Sequence, residues 1–101
     1  MSIFSGLFGK STDFKALREQ GALIVDVRTP QEFRGGHVDG STNIPLDRIG
    51  VEINKLKETG KPIILCCASG GRSGSATSLL KQHGVEAYNG GGWASLKSQL
   101  S

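Results

Sequence analysis

The stretch "CCASGGRSGS", residues 66 to 75, sets the chain's only two cysteines side by side and follows them with small residues and one arginine. Each of these types has a use in sulfur or oxyanion chemistry. A thiolate is a strong nucleophile, and its pKa, ordinarily about 8.5, falls beside backbone N–H donors or a helix N-terminus. From Ala68 through Ser69, Gly70 and Gly71 to Ser73, small side chains let successive N–H groups curl toward one centre and form a nest for an anion. The positive end of a helix starting near Ser73 adds to that field. Arg72 supplies a planar fork that can clamp an oxyanion on an incoming molecule or close the loop onto a neighbouring acid. A cysteine at a strand end is commonly just a small buried hydrophobe, but here the glycines and the arginine point to Cys67 as a reactive thiol. Cys66 is the packing residue, because strand alternation sends adjacent side chains to opposite faces.

The elements needed to position this loop are clearly punctuated. "STDFKALREQG" reads as a short helix capped by Ser11 or Thr12, with Phe14 and Leu17 facing inward and Gly21 at its stop. "ALIVDV" is a continuous apolar run, as in a strand covered on both faces, and it ends at Asp26 and Arg28. In "TPQEF", Thr29 is the N-cap, Pro30 the first helical residue and Glu32 the closing member of a capping box. "GGHVDGSTNIPL" is mainly loop with a short strand near Asn43 and Ile44. Leu46, Ile49, Ile53 and Leu56 then recur at helical spacing up to Gly60. "PIILC" is a second buried strand that Cys66 ends, leaving Cys67 to open the loop. Ala76, Leu79, Leu80 and His83 mark the following helix. "VEAY" is a last short strand, and "NGGGW" turns the chain into a terminal helix with Trp93, Leu96 and Leu100. Alternating strands and helices predict an α/β fold whose mainly parallel sheet has helices on both faces. Sites in such sheets gather at the carboxyl ends of strands, where Asp26, Arg28 and Cys67 lie.

Bulk properties bound the function. At 101 residues the chain is the size of one small domain, expected over residues 12–101 behind an N-terminal arm at 1–11. No apolar run approaches the roughly 20 residues that span a bilayer, so no stable membrane insertion is expected. "MSIFSGLFGK" lacks the basic start and cleavage site of a secretory signal, although Ile3, Phe4, Leu7 and Phe8 could touch a surface or partner. Twelve Lys and Arg against nine Asp and Glu give a net charge of +3, scattered along the chain. That suits small anions and excludes the basic stripe typical of nucleic-acid binders. Adjacent cysteines would close a strained disulfide ring, so free thiols in a reducing cytoplasm are expected. His37 and His83 stand at no zinc-ligand spacing from them, and no metal is expected.

Two long motifs in the right order carry a family resemblance. "LIVDVRTPQEFRGGHVDGSTNIPL" resembles the first signature of the rhodaneses, and "KPIILCCASGGRS" is similar to their active-site loop Cys-x-x-Gly-x-Arg-Ser, with "YNGGGW" following near the end. The likeness covers about residues 12 to 97 and implies a single-domain rhodanese-like three-layer fold and sulfurtransferase activity. It also implies that Cys67 is the persulfide cysteine, and it matches Gly70 and Arg72 to the loop's glycine and arginine. In the implied cycle Cys67 takes a sulfane sulfur from thiosulfate or a similar small sulfur-containing anion and passes it to cyanide, a thiol or a protein acceptor. No cofactor is needed beyond the covalent persulfide. Asp26 and Arg28 are expected to support the loop, the first by accepting backbone donors and the second by pairing with an acid such as Glu32. His37 is expected to fix its Gly-His turn, and Trp93 to be core.

Two rivals fit parts of the same letters. Counted from the other cysteine, Cys66-x5-Arg72 has the spacing of cysteine phosphatases and some arsenate reductases, but the loop shows no aspartate general acid. Rhodanese modules that bind partners without catalysis commonly lack the cysteine, which this chain keeps. A carrier handing sulfur to one protein lies between those classes.

Overall fold

The computed structural model describes residues 12–101; the candidate cap Ser11 and the apolar Ile3, Phe4, Leu7 and Phe8 lie outside the described residues. Helices and strands alternate as α1 (Phe14–Glu19), β1 (Leu23–Asp26), α2 (Pro30–Arg34), β2 (Thr42–Asn43), α3 (Leu46–Glu58), β3 (Ile63–Cys67), α4 (Gly71–Gln82), β4 (Ala87–Gly92) and α5 (Trp93–Leu100). The strands form one sheet in the order β2-β1-β3-β4, and every pairing is parallel. The apolar runs at β1 and β3 follow from this order: both strands are interior, and every residue of β3 is buried.

Side-chain alternation divides the core between the two faces. Val25, Val27, Ile63, Leu65 and Cys67 pack on one face with Ile49, Ile53 and Leu56 of α3 and Ala76 and Leu80 of α4. Ile24, Ile64 and Cys66 face the other way, against Leu96 of α5, with Phe14, Leu17 and Trp93 at the margin. The result is the expected three-layer α/β arrangement.

Several local expectations shift. Asp13, not Thr12, caps α1, its carboxylate accepting from Ala16 N at 3.0 Å; it directly precedes the first helical residue, whereas Thr12 lies one position too early. The box on α2 forms as read, with Thr29 and Glu32 reciprocally bonded. The short strand lies at Thr42–Asn43 rather than Asn43 and Ile44, and β3 runs one residue further, through Cys67. The largest difference is at β4, which continues through the glycines instead of turning at them. Between the pairs Leu65↔Asn89 and Cys66↔Gly91, Gly90 is an extra residue, a bulge that lets the strand follow β3 to its end. There the strand passes directly behind the loop: a Cβ on Gly92 would lie 2.8 Å from the carbonyl oxygen of Ala68.

Candidate active site

Cys67 is the last residue of β3, and the chain turns at once into α4 through Ala68, Ser69 and Gly70. Gly70 makes the turn possible with φ 109°, a left-handed conformation that side chains resist. Its amide then points back at the sulfur, with Gly70 N 3.0 Å from Cys67 Sγ; Ser73 N lies 3.4 Å away and Ser73 Oγ 3.3 Å. Gly71 opens the helix, two residues earlier than Ser73, so both the loop amides and the helix start face the sulfur. Burial works against the thiolate, but hydrogen bonds from the Ser73 side chain and from the Ser73, Gly70 and Ser69 amides outweigh it and bring Cys67 down from 9.0 to about 7.

Cys66 occupies a different environment. It is fully buried in the opposite cluster, and burial, reinforced by nearby Asp26, pushes its thiol up to about 12. The sulfur that the loop donors address therefore belongs to Cys67, one residue away from the start of the Cys66-x5-Arg72 spacing.

Arg72 closes the loop onto an acid. Its two terminal nitrogens contact Glu32 Oε1 at 2.8 Å and Oε2 at 3.0 Å, joining α4 to α2 at a half-exposed site. The guanidinium, together with the Thr29 amide, holds Glu32 well below the usual carboxylate range, at about 2. Arg28 therefore does not take the Glu32 carboxylate as expected. It lies over Asp26 two residues back, with Nε and Nη2 on the carboxylate at 2.8 to 3.1 Å, and Asp26 also accepts the Arg28 amide. The remaining Arg28 donors bond the carbonyls of Glu32 and Gly36, and its guanidinium sits 4.9 Å from the centre of the Trp93 ring. The physical reason is position: both side chains leave the buried end of β1, where an unpaired Asp26 would be costly. Asp26 and Arg28 thus brace the turn that follows α2, with Asp26 receiving its backbone donor from Arg28 and not from the loop. His37 bonds the Phe33 carbonyl through Nδ1 at 2.7 Å and stacks on the Phe33 ring, as its turn-fixing role requires.

Asn89 of β4 joins the site although no motif in the sequence marks it. Its Oδ1 accepts from Ser73 Oγ at 2.7 Å and from Gly91 N at 2.9 Å, and its Nδ2 donates to the Gly70 carbonyl at 3.1 Å. The available signal was an amide side chain standing between a strand and a glycine triplet. Beside the loop, a groove of about 440 Å³ is lined by Val27, Thr29, Pro45, Leu46, Asp47 and Arg72. A wider groove of about 560 Å³ along β2 and α3 contains no loop residue. Among the described residues no cluster of three or more His, Cys, Asp or Glu is placed to hold a metal, and no helix is long and apolar enough to cross a membrane.

A family model described as rhodanese-like domain matches residues 10–99. The chain belongs to the rhodanese-like family. Among the relatives of this rhodanese-like chain, the uncharacterized protein YqhL of Bacillus subtilis is 44% identical over 69 residues, covering 67% of the chain and 54% of YqhL. Thiosulfate sulfurtransferase GlpE of Pseudomonas syringae is 39% identical over 70 residues, covering 69% of the chain and 65% of GlpE. The chain thus spans between about half and two thirds of the length of these relatives. A solved structure described as a rhodanese with anions from E. coli superposes with a TM-score of 0.68 at 28% identity, covering 74% of the chain and 91% of that structure.

Proposed function

We propose that this rhodanese-like domain is a sulfurtransferase that moves a sulfane sulfur from thiosulfate or a persulfide donor to cyanide or a thiol through a persulfide on Cys67. The observation that carries this reading is the convergence of Gly70 N, Ser73 N and Ser73 Oγ on Cys67 Sγ. In the first step the Cys67 thiolate attacks the outer sulfur of thiosulfate. The S–S bond of the donor breaks, its electron pair leaves with sulfite, and Cys67 keeps the sulfur as a persulfide anion. In the second step a nucleophilic acceptor attacks the terminal sulfur, and the electron pair of the Cys67 S–S bond returns to the thiolate. No oxidant and no further cofactor is required.

The loop residues divide the work. Amides from Ser69 to Ser73 stabilise the negative charge that resides on Sγ before attack and on the terminal sulfur afterwards. Ala68, Ser69 and Gly71, lacking bulk, leave room for the added atom, and Arg72 stands where an anionic donor enters. Asp26 and Arg28 support the loop from below without touching substrate. Thiosulfate as donor is supported by the GlpE relatives; a reducing, cytoplasmic setting, which would keep the Cys67 thiol available, is part of the same proposal. The test is turnover with thiosulfate and cyanide: thiocyanate and sulfite should appear in equal amounts and be lost in Cys67→Ser. Equal turnover by wild type and Cys67→Ser would refute the reading.

A further inference from the structure

The Ser73 hydroxyl has two claimants and one proton. It lies 3.3 Å from Cys67 Sγ and 2.7 Å from Asn89 Oδ1, and Ser73 is fully buried, so water does not relieve the competition. The orientation of the Asn89 carboxamide is set by its other two bonds: Gly91 N–H must meet the oxygen, and the Gly70 carbonyl must meet the NH2 group. Oδ1 can only accept, so the Ser73 proton points at Asn89 in the geometry observed. A protonated Cys67 can then donate S–H to Ser73 Oγ. A thiolate cannot, and needs the hydroxyl turned toward it.

We infer that Asn89 is a positioning residue for Cys67: it holds the Ser73 proton while the sulfur is protonated and yields it when the thiolate or persulfide anion forms. This rests on Cys67 being the reacting thiol. On ionisation the thiol proton leaves to solvent, the Ser73 hydroxyl rotates from Oδ1 to Sγ, and Oδ1 retains the Gly91 N–H. Asn89 therefore opposes thiolate formation through Ser73 while its Nδ2 steadies the loop at Gly70. Ser73 donates to the thiolate only in the turned rotamer. The charged groups nearest the sulfur are Arg72 of α4 with Glu32 of α2, Asp47 of α3 in the groove beside Arg72, and the Asp26–Arg28 pair at the end of β1. Cys66 adjoins it on the opposite face, and β4 brings no charged side chain between Ala87 and Gly92.

The test is the pH dependence of Cys67 alkylation by iodoacetamide, read by peptide mass in the full chain. Freed from Asn89, Ser73 donates to the thiolate without competition, so Asn89→Ala should lower the midpoint by about one pH unit, the worth of one modest hydrogen bond. Ser73→Ala should raise it. In a Ser73→Ala background, Asn89→Ala should change nothing further. A merely loosened loop loses amide donors and moves the midpoint up. A raised or unmoved midpoint in Asn89→Ala, or the same fall in both backgrounds, would overturn the inference. If Asn89→Ala does not fold, Asn89→Asp replaces it: the carboxylate grips the Ser73 proton harder, so the midpoint should rise more with Ser73 present than in Ser73→Ala, and equal rises overturn the inference. Alkylation needs no sulfur donor, so failure to form a persulfide would count against the proposed function and leave this readout standing.

Discussion

Arg72 and Glu32, forty residues apart in the chain, face each other through two parallel contacts at 2.8 and 3.0 Å. The pair ties the start of α4 to α2 and neutralises the one cation within the loop. Glu32→Gln retains the length and the capping capacity of the N3 position while removing the negative charge. We expect KM for thiosulfate to fall several-fold at low ionic strength, with the gain shrinking as salt is raised. Steady-state kinetics at two salt concentrations check this. A raised KM would mean that the pair organises the site more than it screens it.

The reactive sulfur should titrate near neutrality. With Cys67 lowered to about 7, persulfide loading is expected to fall about tenfold for each pH unit below that value and to level off above it. The fold carries the matching linkage. A thiol depressed from 9.0 stabilises the native state fully above pH 9, and that contribution is lost as pH falls through 7. Loading rates followed from pH 5 to 9 test the first statement, and urea midpoints over the same range test the second.

Cys66 should matter for stability and not for chemistry. Cys66→Ser places a hydroxyl among Ile24, Ile64 and Leu96 in the buried cluster, at a cost of about 1–3 kcal/mol if it finds no partner. Sulfur loading per folded molecule should be unchanged. Denaturant melts paired with mass spectrometry measure both.

Gly92 should tolerate no side chain. A Cβ would sit 2.8 Å from the Ala68 carbonyl oxygen, so Gly92→Ala must push the loop away from β4 or the strand away from β3. Overpacking of this kind costs about 1–3 kcal/mol, and loading should slow because Gly70 and Ser73 are displaced with the loop. Unchanged stability and loading would show that the loop moves freely.

The fold was largely legible because its signals are local. Continuous apolar runs mark β1 and β3, helical spacing marks Ile49, Ile53 and Leu56, and Thr29 with Glu32 writes a capping box. Assigning the two cysteines to opposite faces needed only strand alternation. Contacts between distant segments were less accessible. Glu32 offered an acid to either Arg28 or Arg72, and only the packing of α2 against α4 decides that Arg72 takes it while Arg28 turns to Asp26. The glycines of β4 looked like a turn because their role is to admit a neighbour, the loop, that one-dimensional pattern does not display. Asn89 is hidden for the same reason: two of its three partners, Gly70 and Ser73, lie in the loop, far from it along the chain.

Intact-mass measurement after incubation with thiosulfate and removal of excess donor tests the central claim most directly. Wild type and Cys66→Ser should each gain the mass of one sulfur atom, released again by cyanide, and Cys67→Ser should gain nothing. A sulfur gain that survives in Cys67→Ser, or disappears only in Cys66→Ser, would contradict the assignment of Cys67 as the sulfur-carrying thiol.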